Sequence, residues 1–335
     1  MNWESRYQPP DEKNWRGAAE LPEDACFFQH IQLFNLLNGT PQKSAEVTFA
    51  LLGFKCDEGV KRDLGRAGAH EGPQAIRHQL AKLPVQIPAI HCYDVGDITC
   101  DDHDLDASLE ALGMVVSLLL AAGIRPILIG GGHEIALGHY LGIQKQLLNK
   151  TRLGLINFDA HFDMHPLTPA HHRSAATTFF EISELHKKSG LNFDYNCIGI
   201  QHAGDIRHSF DLAKRYDVKY ILADDLHLGL QEKCFDFIDR VIDKNDAIYV
   251  TISLDVFSPA HAPGVSLLQP LGLNPWHIIP LLRQISASGK VIGYDVAEHV
   301  PRYDIDHRTA KLAASLIYEI IHHHHEPQKH LFNLT

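Results

Sequence analysis

Asp159, His161 and Asp163 occupy alternate positions of the segment DAHFD, directly after the apolar run LGLINF. Alternate side chains of an extended chain point to the same side. Two carboxylates and one imidazole can therefore converge on one point, with Ala160 and Phe162 facing away. Carboxylate and imidazole donors together suit manganese, iron, zinc or cobalt. The rival reading is a solvated polar loop, which the buried-type run before it disfavours.

Three further groups follow apolar runs in the same way. His133 comes after PILI and the glycines Gly130, Gly131 and Gly132, which allow tight packing or positive φ at a helix start. There is no P-loop lysine and no G-x-G-x-x-G, so a phosphate cradle is disfavoured. Asp255 follows AIYVTISL and precedes a stiff Pro/Gly loop, fit either for a metal ligand or for a turn. Glu298 follows VIGYDV and could pair with a cationic substrate group or lie on the surface. The run His322 to His325 reads as a polar helix end outside any active site.

Positioning these residues requires strand ends. Short apolar runs alternate with longer amphipathic ones from Val47 onward. The strand expectations are 47–53, 91–95, 126–129, 153–158, 196–200, 220–223, 247–254 and 291–296. Helices are expected at 73–83, 105–122, 135–148, 176–188, 206–216, 231–243, 275–287 and 306–323. Such alternation predicts a mostly parallel sheet with helices on both faces. A closed (β/α)₈ barrel is the alternative. In open sheets of this class chemistry sits at the carboxyl ends of strands, where all the groups above fall. Residues 1–45 read as an irregular arm with one helix near 27–37. Residues 46–325 read as one domain and 326–335 as a tail.

Composition narrows the class. Apolar residues make up 45% of the 335 and charged residues 21%, ordinary for a globular protein. The net charge of −11 disfavours nucleic acid as a partner. No apolar run approaches the roughly 20 residues that span a bilayer, and the N-terminus lacks the charged-then-apolar order of a secretory signal. These features point to the cytoplasm and to a small-molecule substrate. The six cysteines form no C-x-x-C pair and read as buried thiols.

Taken in order, the blocks GRAGAHEGPQAIR (65–77), GGGHE (130–134), NFDAHFD (157–163), SLDVFSPAHAPGVS (253–266) and VAEHVPRYDIDHRTAKLAA (296–314) resemble the ureohydrolase family of arginase, agmatinase and formimidoylglutamase. The blocks 51–66, 255–266 and 303–314 are most similar to its formimidoylglutamase branch. The resemblance implies a three-layer α/β/α fold around an eight-stranded sheet, a homo-oligomer, and a pair of Mn2+ ions. By position, His133, Asp159 and Asp163 would hold one ion, and Asp159, His161 and Asp255 the other. A further bridging aspartate is usual in the family where this chain has Ser253. His165 stands where that branch often has arginine, and Val300 where asparagine is common.

The implied reaction is hydrolysis of N-formimidoyl-L-glutamate to L-glutamate and formamide. Asp163 would steady the attacking water and the tetrahedral intermediate, Glu298 would pair with the amidinium, and His165 would carry a proton to the departing amine. Arg173 and Thr177 are the expected contacts for the substrate carboxylates, since an arginine fork suits a dicarboxylate. Two other readings stay open. One is action on another guanidino or amidino compound, such as agmatine or guanidinobutyrate. The other is a metal-impaired, non-catalytic member, because a neutral serine offsets no repulsion between two cations.

Overall fold

The computed structural model describes residues 3–17, 21–22, 24–43, 47–87, 90–148, 151–168 and 172–325. The expected tail, 326–335, lies outside them. Ten strands form one sheet: β1 (Tyr7–Gln8), β2 (Ile31–Leu33), β3 (Phe49–Lys55), β4 (Cys92–Thr99), β5 (Arg125–Ile129), β6 (Leu153–Phe158), β7 (Asp194–Ile200), β8 (Lys219–Leu222), β9 (Ala247–Ser253) and β10 (Val291–Ala297). Their spatial order is β1-β4-β3-β5-β10-β9-β6-β7-β8, with β2 also paired to β4. The sheet is open, which excludes the barrel. The eight longer strands are those expected from the sequence, and they pair in parallel throughout.

The helices are α1 (Phe27–His30), α2 (Glu58–Arg62), α3 (Gly72–Leu80), α4 (Leu105–Ala121), α5 (Ile135–Gln146), α6 (Thr178–Ser189), α7 (Arg207–Arg215), α8 (Ala223–His227), α9 (Gln231–Lys244), α10 (Pro275–Ala287) and α11 (Arg308–His323). Strand side chains alternate between two apolar cores. Ile248, Val250 and Ile252 of β9 join α3, α9, α10 and α11 on one face. Ala247 and Tyr249 join α4, α5 and parts of α6 and α7 on the other. That is the three-layer arrangement, and it accounts for strands that read as unbroken apolar runs. No helix among the described residues is long and apolar enough to cross a membrane. All six cysteines are buried and free.

Several boundaries depart from the sequence reading. The expected N-terminal helix at 27–37 is a single turn, α1, followed by β2. Its residues find more hydrogen-bond partners along β4, where Ile31 aligns with Cys92 and Leu33 with Asp94. The arm is also tied to the sheet by β1, antiparallel to β4, and by Trp15 Nε1, which donates to Asp94 Oδ2 at 2.7 Å. Strand β4 outruns its expected end because Gly96 takes φ +83 and absorbs a bulge. Helix α11 starts two residues late. Asp306 and His307 sit at φ +53 and +56, and Asp304 caps the helix by accepting from Thr309 N and Ala310 N at 3.0 and 3.1 Å.

The loop after β5 is held at close quarters. Gly130 and Gly131 have φ +79 and +75, and a Cβ on Gly130 would lie 2.6 Å from Pro73 N at the start of α3. Gly130 N donates to Val296 O, and Glu298 N to Gly131 O, both at 2.9 Å. The loops after β5 and β10 are thereby stapled together. Gly130→Ala should therefore destabilise the protein by at least about 1–3 kcal/mol, the usual cost of a strained backbone position. A denaturant titration should show a lowered midpoint at unchanged slope.

Candidate metal centre

Four strands lie side by side in the middle of the sheet, in the order β5-β10-β9-β6. Each delivers polar groups at its carboxyl end. β5 leads to His133, β6 to Asp159, His161 and Asp163, β9 ends in Ser253 and leads to Asp255, and β10 leads to Glu298. Consecutive strands β5 and β6 are separated in space by two others. The crevice that this opens is where such sheets place ligands.

Two three-donor clusters occupy the crevice. His133, Asp159 and Asp163 form one, and Asp159, His161 and Asp255 the other, with donor atoms in each within 4.8 Å of one another. Asp159 belongs to both. His133 Nδ1 lies 2.9 Å from Asp159 Oδ2 and 2.8 Å from Asp163 Oδ2. His161 Nδ1 lies 3.3 Å from Asp159 Oδ1 and 3.5 Å from Asp255 Oδ2. Ala160 and Phe162 are fully buried behind the segment, on the side away from the cluster. Alternation explains Asp159 and His161. Asp163 turns towards His133 from a left-handed backbone, φ +47.

Groups behind the donors fix their orientation. His133 Nε2 pairs with Thr251 Oγ1 at 2.9 Å. Thr251 donates onward to Asp295, which also accepts from Tyr249 and sits 3.1 Å from His139 Nδ1. With Nε2 directed at this network, Nδ1 faces the carboxylates. Asn157 Nδ2 donates to Asp159 Oδ2 at 3.1 Å, and Gln269 Nε2 lies 2.8 Å from His161 Nε2. Gln269 and Asp295 carry no local signal in the sequence. An even spacing from a strand-end ligand points only to Asn157, Thr251 and Ser253.

Glu298 is held from two sides at φ +73. Its Oε1 accepts from His133 N at 2.6 Å, and its Oε2 from the Ser266 hydroxyl. Ser253 is buried, and its Oγ donates to Asp255 Oδ1 at 2.6 Å. The serine therefore acts as an orienter of Asp255 at the position where a carboxylate was expected.

Burial makes the charges strongly interdependent. Burial and the neighbouring Asp159 push both Asp163 and Asp255 up to about 7. Burial and Asp255 raise Glu298 to about 7. Burial would raise Asp159 too, but hydrogen bonds from His133 and His161 hold it well below the usual carboxylate range. Burial lowers His161, yet attraction to Asp255 and the bond to Asp159 carry it to about 10. His133 is raised well above its ordinary value in the same manner, by Asp159 and Asp163 against burial. Three carboxylates and two imidazoles at this range attract cations, whether protons or metal ions. The oxygen-and-nitrogen donor set fits a hard or borderline divalent ion.

Four of the five donors line a cavity of about 420 Å³, and Asp159 is buried beside them. His133, His161, Asp163, His165, Asp255 and Glu298 all line it, so His165 is brought to the site with the donors. Arg173 and Thr177 are not. Arg173 Nη2 is paired with Glu181 Oε2, and its Nη1 with Asp106 Oδ1, both at 2.6 Å. Thr177 is buried at the head of α6, bonded to Ser174 O at 3.1 Å and Glu181 Oε1 at 3.0 Å. The expectation that these two reach the substrate carboxylates is corrected accordingly. The carboxylate of Glu181 on α6, which local spacing did not flag, draws the arginine fork away from the cavity.

The arginase family profile matches residues 47–323. The chain is 40% identical over 325 residues to the formimidoylglutamase of Geobacillus sp. strain WCH70, covering 96% of this chain and 98% of that one. It is 39% identical over 317 residues to the formimidoylglutamase of Legionella pneumophila, covering 95% and 98%. In fold it is similar to the crystal structure of Bacillus subtilis formimidoylglutamase, with a TM-score of 0.76 at 22% identity over 91% of this chain and 94% of that one. It is likewise similar to Trypanosoma cruzi formiminoglutamase, solved with Mn2+, with a TM-score of 0.74 at 22% identity over 86% and 97%. On its profile match and its near full-length relatives, the chain belongs to the arginase family.

Proposed function

We propose that this chain hydrolyses N-formimidoyl-L-glutamate to L-glutamate and formamide with the help of bound manganese. The observation that carries the reading is the pair of three-donor clusters that share Asp159 and whose other donors line the cavity. The near full-length likeness to proteins named formimidoylglutamase supports the formimino substrate over agmatine or another guanidino compound.

His133, Asp159 and Asp163 would hold one ion, and Asp159, His161 and Asp255 the other. Ions bound there would make water acidic enough to attack at neutral pH. Asp163 faces the cavity from the cluster and would accept the hydrogen bond of the attacking water. Glu298, buried beside His133, would pair with the substrate amidinium and hold the electrophilic carbon over the donors. The bond from that carbon to the glutamate nitrogen then breaks. The oxygen of water becomes the carbonyl of formamide, and a proton goes to the departing amine. His165 lines the cavity and is assigned to that proton.

Ser253 changes the electrostatics of this centre. Like charges about 4 Å apart repel by roughly 4 kcal/mol at an effective dielectric of about 20, and dications repel more. Each bridging carboxylate offsets part of that repulsion. With Asp159 as the shared donor and a serine at residue 253, we propose that one of two ions is held weakly.

Three outcomes follow. Purified protein supplied with Mn2+ should release formamide from N-formimidoyl-L-glutamate, and no urea from agmatine or guanidinobutyrate; urea release with no formamide would overturn the substrate assignment. Asp159→Ala should remove manganese from both clusters, whereas Asp255→Ala should spare the one built on His133, as read by metal content per chain. Ser253→Asp should lower the thermal midpoint of the metal-free protein, because it sets a second carboxylate against Asp255. It should also enlarge the upward shift on adding Mn2+. Two tightly held ions in the wild type without added metal would count against a weak second site.

A further inference from the structure

The proposed substrate carries two carboxylates, yet most of the charged residues that line the cavity are acids. Asp63, Asp163, Asp205, Asp255 and Glu298 all face it. Among the described lining residues Arg62 is the one lysine or arginine. It stands at the end of α2, in the block that most resembles the formimidoylglutamase branch, and neither the sequence reading nor the comparisons give it a role.

Neighbouring cations are engaged elsewhere. Lys61 Nζ is 2.7 Å from Asp57 Oδ1. Arg66 Nε donates to Val265 O at 3.0 Å, its Nη2 donates to Pro263 O at 3.0 Å, and its guanidinium stacks on Tyr303. Arg173 is fixed by two carboxylates. Arg62 is held more loosely. Its Nη1 donates to Arg173 O at 2.9 Å, and its Nε lies 3.5 Å from Glu58 Oε1. A guanidinium has five N–H donors, so a planar edge remains for an incoming anion. The side chain is 31% exposed, neither solvent-swept nor sealed.

The base of this arginine is rigid. Glu134 Oε1, beside His133, accepts from Gly59 N in α2 at 3.1 Å. Asp63 Oδ2 accepts from Ala176 N at 3.0 Å, tying the end of α2 to the loop before α6. Arg62 is therefore carried on a helix that hydrogen bonds tie to Glu134, next to His133, and to the loop before α6.

We propose that Arg62 binds a carboxylate of the substrate and selects acidic amidines over neutral or cationic ones. This inference rests on the reading of the cavity as a site for N-formimidoyl-glutamate. An arginine fork matches a carboxylate in shape and charge. The same charge repels a substrate with an ammonium tail, so a single residue supplies both attraction and rejection.

The test compares the manganese-loaded wild type, Arg62→Ala and Arg62→Lys on N-formimidoyl-L-glutamate and on N-formimidoyl-propylamine, which has no carboxylate. The readout is the ratio of kcat/KM for the two substrates, which general damage to the fold does not move. Arg62→Ala should lower that ratio about 10- to 100-fold, the usual worth of a charge-assisted hydrogen bond, mainly through KM. Arg62→Lys should recover part of it. A ratio unchanged within about twofold overturns the role of Arg62 while leaving the substrate assignment intact. If the wild type releases no formamide from N-formimidoyl-L-glutamate, the substrate assignment fails instead. Binding of L-glutamate measured by calorimetry then decides for Arg62, and equal affinity in wild type and Arg62→Ala overturns it there too.

Discussion

Three carboxylates and two imidazoles are packed together, largely out of water, at the carboxyl edge of the sheet. Unpaired charges cost several kcal/mol each when buried, so such a cluster persists only if protons, cations or fixed dipoles offset it. Much of the surrounding structure does that. Strands β5, β10, β9 and β6 bring the groups to one crevice, and the loops after β5 and β10 are stapled by Gly130, Gly131 and Glu298. The left-handed backbones of Asp163 and Glu298 aim one of these carboxylates and a further one, beside His133, inward. Strain of that kind, about 1–3 kcal/mol per position, is retained where the surroundings over-determine it.

The buried chain from His133 through Thr251 to Asp295 fills a second need. A ligating imidazole must present one nitrogen and satisfy the other. Thr251 takes Nε2, and Asp295 gathers Thr251, Tyr249 and His139 beneath the sheet. Strands β9 and β10, the loop after β5 and helix α5 are thus joined by polar contacts below the clusters. Orientation of the first donor is built into the core rather than into a surface loop.

Ser253 and Arg62 are the two residues that set the charge balance around the clusters under the proposed reading. One sits where a carboxylate would balance two cations, and it instead orients Asp255. The other places a positive charge among the acidic side chains of the cavity lining. Both act through electrostatics over short distances, and neither alters the fold.

Legible in the sequence alone were the eight long strands, the longer helices between them, and the candidate donors His133, Asp159, His161, Asp163 and Asp255, which the fold brings together. Those features are written in local patterns. Apolar runs mark strands buried on both faces, period 2 sets Asp159 and His161 on one side, and polar residues after each run mark the carboxyl edge. The N-terminal arm did not read correctly, because β1 and β2 exist only through pairing with β4. Arg173 did not either, since Glu181 and Asp106 claim its guanidinium and lie far from one another in the chain. Ser266, Gln269, Asp295 and Arg62 were silent for the same reason. A residue's own neighbours in sequence fix its backbone preferences, but which charges and hydroxyls meet across the crevice depends on strand order. Only the packed sheet decides that.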